Sequence, residues 1–304
     1  MASQYFRFRA NAAEQPRRCM LLEKLTARAD VERRTSDWRA DAFVVMAPDA
    51  AIVPTVAGAA LFADCGPVQG AWVCLATPVN YVAQMSSVRL SQDGILALTP
   101  RIADMLAADF NRIWNGSGVR LMAGAGSAAA AAQLYCIFDE ILDVTTRDPE
   151  DVLGQNIEEY LPSGPNAPRL TQLMSEIEMW LFEASRADPS RLNAFWLWGG
   201  GVPLESLPRV SGWFAGDDVY FSALARGSAG REKSGSGVIV TSKIPGSDGW
   251  HEIESRWLKP AAAQLRSRRI SRLDLSGGER SVSVNARLLP RFWRRRTPWW
   301  ESFA

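Results

Sequence analysis

Three glycines close an aromatic run that reads Asn193, Ala194, Phe195, Trp196, Leu197, Trp198, Gly199, Gly200, Gly201. Glycine has no Cβ, so a ligand or another stretch of chain can come close to the backbone there. At the carboxyl end of a sheet, where α/β proteins bind their ligands, Gly199, Gly200 and Gly201 would floor a site. Trp196 and Trp198 would wall it, and Asn193 would hydrogen-bond the ligand or lock the preceding loop. The alternative is purely architectural: Trp196 and Trp198 share one strand face as core packing, with Phe195 and Leu197 on the other.

A second chemical signal lies near the C-terminus, where Arg291, Trp293, Arg294, Arg295 and Arg296 interleave cation and indole before Trp299 and Trp300. Such segments bind phosphate backbones or anionic surfaces. The competing reading is a docking segment whose tryptophans pack on the protein while its arginines stay solvated. Residues 256–304 hold 12 Arg and Lys against 3 Asp and Glu, a surplus of +9, so a total of +1 leaves −8 for residues 1–255. That asymmetry fits an anionic partner or pairing with the acidic remainder of the molecule. The partner is unknown from sequence, and nucleic acid is the less favoured class.

Other patterns point away from common chemistries. His251 is the sole histidine, which rules out multi-imidazole metal centres and any Ser-His-Asp arrangement that does not use it. Carboxylate clusters at Asp217 and Asp218, at Asp139, Glu140 and Asp143, and at Asp148, Glu150 and Asp151 read as caps and solvated faces before they read as cation sites. The stretch from Gly124 through Gly126 to Ala129 fits G-x-G-x-x-A but lacks room for a full helix and an acidic ribose partner. Gly230 to Ser234 has Glu232 where a phosphate loop needs glycine. Cys19, Cys65, Cys74 and Cys136 form no C-x-x-C pair and read as buried free thiols. No cofactor, metal or catalytic residue is assigned.

The elements that would position these groups alternate between strand and helix. Helical periodicity runs through 17–34, 54–63, 100–114 and 169–185, with Thr99 an N-cap and Ile102, Met105, Leu106, Phe110, Ile113 and Trp114 expected to form the buried stripe of the third. Asp217 is the expected cap of a helix from 218 to 225, and Pro260 is expected to kink one over 250–265. Strands are expected at 71–76, 79–91, 119–122, 134–138, 193–198, 210–214 and 238–241, with a terminal hairpin of 270–275 and 281–284 turned at Gly277 and Gly278. The fold class is α/β, a mostly parallel sheet flanked by helices with a smaller α+β portion. The expected organisation is a flexible arm at 1–16, one α/β domain over 17–287 with an α+β subdomain at about 79–147, and the basic segment at 288–304. With 47% apolar residues and no long apolar run, the expected location is the cytoplasm.

On these residues the chain resembles the RpfE-type regulatory proteins of bacteria. The resemblance rests on Val53 to Ala59, Gly70 to Leu75, Gly154 to Ile157, Leu161 to Gly164, Glu176 to Leu181, the Asn193 to Gly201 run, and Arg291 to Arg295. More distantly, residues 148–227 are similar to archaeal-type cofactor-independent phosphoglycerate mutases, which share W-L-W-G-x-G followed by proline, here Pro203. That resemblance implies part of an alkaline-phosphatase-like fold. It also implies a nucleophilic serine and two divalent metals held by aspartates and histidines, on segments this chain lacks or has replaced. Thr77 to Asn80 and Asp148 to Glu150 stand where such groups are expected. The implied role is that of a non-catalytic or catalytically altered relative that binds or regulates in the bacterial cytoplasm on a mutase-like frame. An enzyme using arginine in place of metals on an anionic small molecule, and an interaction module using the basic segment, are the alternatives.

Overall fold

A computed structural model describes residues 2–8, 18–30, 32–34, 37–124, 131–184, 192–226, 235–241, 249–277, 280–287, 291 and 293–303. The chain divides into two units, Met1–Val53 with Pro208–Ala304, and Pro54–Leu207.

In chain order, the first elements are β1 (Ser3–Phe8), α1 (Met20–Thr26), β2 (Glu32–Arg34), α2 (Trp38–Met46) and α3 (Val56–Cys65). The middle of the chain forms β3 (Trp72–Ala83), β4 (Val88–Ile95), α4 (Pro100–Ile113), β5 (Val119–Ala123), β6 (Leu134–Phe138), α5 (Ala167–Ala184) and β7 (Ala194–Gly201). The last part forms β8 (Trp213–Gly216), α6 (Val219–Arg226), β9 (Gly237–Thr241), α7 (Gly249–Ile253), α8 (Lys259–Arg266), β10 (Arg272–Gly277) and β11 (Arg280–Asn285). Among the described residues no helix is long and apolar enough to cross a membrane.

Local chemistry sets many of these boundaries. Thr99 accepts a hydrogen bond from the Ile102 N–H at 3.4 Å and Pro100 follows it, so α4 starts with a capped first turn. Gly116, at φ 77°, terminates the same region in the left-handed conformation that suits glycine. Asp37 caps α2, accepting from Arg39 and Ala40. The cap of α6 is Asp218, which accepts from Tyr220 and Phe221 at 3.0 and 3.1 Å, and not its neighbour Asp217. Pro260 is absorbed without a break, because a π-helical turn over Glu254–Leu258 joins α7 to α8 just before it.

In the first unit six strands run in the order β2-β11-β10-β1-β9-β8. The four strands β10, β1, β9 and β8 are mutually parallel, and β11 and β2 add antiparallel edges. The expected parallel sheet is therefore present, with β1 at its centre. Residues 3–8 are thus not part of a flexible arm: Tyr5, Phe6 and Phe8 are at most 2% exposed between β9 and β10. One sheet face carries the apolar core, where Phe6, Phe8, Leu273, Leu275, Val282 and Val284 meet Leu22 and Leu25 of α1 and Leu258 and Leu265 of the α7–α8 segment.

The second unit holds an antiparallel sheet ordered β4-β3-β6-β5, with β7 also paired to β3. The long strand β3 pairs with β7 along one edge, while β6 and β4 share its other edge in succession. The expected buried stripe of α4 is corrected here. Ala103, Ala107 and Phe110 face inward, whereas Ile102, Met105 and Ile113 are 44%, 57% and 49% exposed. Two alanines let the helix approach β5 closely, and Phe110 stacks on Trp114 at 4.2 Å while both meet Trp180 of α5 edge-on. Cys74 and Cys136, unrelated by any sequence motif, lie directly opposite each other on β3 and β6, both fully buried and free. Burial raises the Cys74 thiol well above its ordinary value, with Cys136 adding to the shift.

Candidate functional site

The glycine-rich strand end in the second unit is occupied by protein. A Cβ on Gly200 would stand 1.9 Å from Cζ2 of Trp72, one on Gly201 would stand 2.2 Å from Cγ2 of Thr55, and one on Gly199 would meet Val56 at 3.0 Å. Only Gly199 of the three has positive φ, 68°, and its N–H donates to Oγ1 of Thr146 at 3.1 Å. Trp196 and Trp198 are buried, their indole N–H groups donating to the Arg147 carbonyl and to Thr77 Oγ1, each at 2.7 Å. Asn193 forms a reciprocal pair with the Tyr81 backbone, accepting at 2.7 Å and donating at 2.8 Å. The Asn193 side chain, both indoles and the Gly199 N–H are thus spent on structure, and the glycines admit a neighbouring helix start and an indole where a ligand was one of two expectations.

The basic C-terminal segment is divided in use. Arg291 pairs with Asp30, and Arg294 donates to the Ala29 carbonyl at 2.8 Å. Trp299 is fully buried edge-on against Phe8 at 5.2 Å, and Phe303 packs against the same ring at 5.0 Å. Arg295 and Arg296 are exposed, and Trp293 is 69% exposed. Docking accounts for the tryptophan at 299 and two arginines, and leaves Arg295 and Arg296 facing water.

The acidic clusters are likewise engaged. Asp148 caps a short turn by accepting from Glu150, Asp139 pairs with Arg120, Glu140 with Arg169, and Asp218 with Arg39. Among the described residues no group of three His, Cys, Asp or Glu is placed to hold a metal ion. The described residues therefore do not fit the two-metal centre that the mutase resemblance implies. The phosphate-loop look-alike at 230–234 and most of the alanine-glycine stretch, 125–129, lie outside the described residues.

The polar chemistry concentrates on the second face of the first unit's sheet. The register aligns Tyr5 with Asp274 and Ser283, and Arg7 with Ser276, Ser281 and Arg33, so side chains of four adjacent strands share one face. Arg7, Asp274, Ser276 and Ser281 are at most 8% exposed. A sheet face this deeply buried is ordinarily apolar, since polar burial costs free energy unless each group is satisfied. Much of it is satisfied. Arg7 Nη1 donates to Ser276 Oγ at 2.9 Å, and Asp274 accepts from Arg272 Nε at 2.7 Å and from Ser283 Oγ. The Arg7 guanidinium lies 4.9 Å from the Trp38 ring centre and that of Arg39 lies 4.5 Å from it, so α2 delivers one indole to two cations. Arg39 is in turn anchored on Asp218 at 2.8 and 3.0 Å.

The Tyr5 hydroxyl is not satisfied. The residue is 2% exposed, and its hydroxyl has no hydrogen-bond partner. Burial pushes its pKa up to about 12, while Ser276 and the charge of Arg7 act in the opposite sense without a hydrogen bond of normal geometry. Beside it opens a pocket of about 280 Å³, lined by Ser3, Tyr5, Arg272, Asp274 and Ser281 from the sheet, Ser236 before β9, Arg33 of β2, and one flank of α2. The carboxyl of Asp41, on that flank, is raised above the ordinary value by partial burial first and then by Asp37, with Arg33 acting against them. Reading the sequence for motifs missed this site. The available signal was the alternation of Asp274 with Ser276 and of Ser281 with Ser283 on a hairpin, together with Arg7 two residues after Tyr5, which places all of them on one face at period two.

No protein-family model and no curated protein matches the chain. Among solved structures, a cofactor-independent phosphoglycerate mutase from Thermoplasma acidophilum is similar at 14% identity, with 94% of this chain and 90% of that one covered and a TM-score of 0.36.

Proposed function

We propose that the chain is a binding protein with a regulatory role, of the RpfE type and on a mutase-like frame, and that its ligand is a small polar molecule held on the polar face of the first unit's sheet. One observation carries this reading. The pocket of about 280 Å³ is lined by Tyr5, whose buried hydroxyl the protein itself leaves without a hydrogen-bond partner. A buried donor of this kind costs about 1–3 kcal/mol in the free protein, and a ligand that accepts from it recovers that cost on binding. The volume lies near the small end of the range for ligand sites, which suits a metabolite. Isothermal titration and thermal shift against a panel of phosphorylated, carboxylated and amino metabolites test it. A hit that raises the melting temperature in the parent and is lost in Tyr5→Phe supports the reading, because ligands that bind the native state stabilise it. Hits unaffected by Tyr5→Phe and Arg33→Gln count against it.

A second reading has a separate observation in its favour. Arg295 and Arg296 project into solvent beside the exposed Trp293, as an anionic partner requires. Retention of the purified protein on heparin that falls steeply with salt, and that weakens in the Arg295→Ala, Arg296→Ala double variant, would favour it. Salt-independent behaviour of the two proteins would remove it.

A further inference from the structure

We infer that the pocket beneath α2 takes a free α-amino acid with an apolar side chain, an inference that rests on the binding reading above and names its ligand class. The wall contributed by α2 is Asp41, Val44 and Val45, spaced i, i+3 and i+4 along one helical flank, and Pro48 extends it just past the end of the helix. It therefore offers one carboxylate beside an apolar strip. The facing wall is the polar sheet, with Ser3, Tyr5, Ser281 and the Arg272–Asp274 pair, and Arg33 enters from β2.

The charge arrangement decides the class. The ionisable side chains lining the pocket are Tyr5, Arg33, Asp41, Arg272 and Asp274. Arg272 and Asp274 neutralise each other at 2.7 Å. Among the described residues neither Arg33 nor Asp41 takes part in an ion pair or a side-chain hydrogen bond, and Arg33 acts on Asp41 only through space across the pocket they both line. One uncommitted cation and one uncommitted anion facing a single pocket are complementary to a ligand with separated opposite charges. With the Arg272–Asp274 pair neutral, a phosphate ester would bring two negative charges against Asp41 with Arg33 alone to offset them, and a simple amine would face Arg33 without compensation. In the zwitterion, Arg33 and the Tyr5 hydroxyl meet the carboxylate, Asp41 meets the ammonium, and the side chain lies on Val44, Val45 and Pro48.

Titration calorimetry with the full-length protein separates the possibilities, using L-leucine, L-leucinamide, which lacks the carboxylate, 4-methylpentanoate, which lacks the amine, and 3-phosphoglycerate. Saturable binding of L-leucine is expected, with the amide and the acid each at least tenfold weaker. Asp41→Asn should weaken L-leucine about tenfold and leave 4-methylpentanoate unchanged, while Arg33→Gln should weaken L-leucine and leave L-leucinamide unchanged. Both residues are at the pocket rim, so melting temperatures of the variants within a degree or two of the parent will show that the fold is intact. Equal binding of all three leucine compounds overturns the amino-acid assignment. So does tighter binding of 3-phosphoglycerate that Arg33→Gln abolishes, although the binding reading then survives. Binding of none of the four overturns the assignment, and the metabolite panel then decides the binding reading separately.

Discussion

Tyr5 shows how a single side chain on a buried face ties stability to function. Replacing it with phenylalanine removes a hydroxyl that has no partner, so urea unfolding should find Tyr5→Phe as stable as the parent or more stable by about 1 kcal/mol. The same residue shapes the alkaline limb. Its folded pKa, pushed up to about 12 mainly by burial, lies above the unfolded value of about 10. Between those values the unfolded chain releases the proton that the native protein keeps, so stability falls as pH rises from 10 to 12, by up to about 3 kcal/mol from this group. Tyr81 and Tyr220 are shifted upward by burial in the same sense. Chemical denaturation at pH 9, 10 and 11 should therefore show a decline that Tyr5→Phe reduces and does not abolish. Gly200 poses the opposite problem, because its missing Cβ is the space Trp72 fills. Gly200→Ala is expected to cost about 1–3 kcal/mol by overpacking, and an unchanged unfolding midpoint would contradict the packed strand end.

At the scale of elements, the start of α6 depends on Asp218, which caps the helix and holds the buried Arg39 guanidinium. Asp218→Ala removes both the cap and a charge-assisted partner of the buried Arg39 and should cost about 2–4 kcal/mol, measurable as a drop in urea midpoint that Asp218→Asn partly restores through the cap. The C-terminal segment gives a matched contrast. Trp299→Ala empties a fully buried site against Phe8 and should cost about 3–5 kcal/mol. Alanine at Arg295 or Arg296, both exposed, should stay within about 0.5 kcal/mol. Equal effects from the two sets would mean that the segment is not docked as described. Some elements were legible in advance because their signals are local: the Thr99 cap with Pro100, the apolar periodicity of α5, and the two strands of the final hairpin, whose turn at 278–279 lies outside the described residues. The buried face of α4 was not legible, because its large apolar residues outnumber the two alanines that settle it on the sheet.

At the scale of the molecule, the first unit is assembled from both ends of the chain, with β1 lying between β9 and β10. Residues 208–304 expressed alone lack this central strand and should fail to unfold cooperatively. Residues 54–207 carry their own sheet and helices and should give a sigmoidal thermal transition by circular dichroism. A cooperative transition in the 208–304 fragment would contradict the pairing of β1.

The sequence by itself determined what neighbours along the chain can decide: helix starts and stops, strand candidates, the α/β class, and the tryptophan pair sharing one face of β7. Tertiary structure alone decided three things. It placed Ser3–Phe8 at the centre of a parallel sheet, since its partners are more than 230 residues away and parallel pairing leaves no turn signal. It filled the glycine floor after Trp198 with Trp72, Thr55 and Val56, because a missing Cβ says that something approaches and not what. It gathered Tyr5, Arg7, Asp274, Ser276 and Ser281 onto one buried face, since each is an ordinary polar residue until strand register sets them side by side.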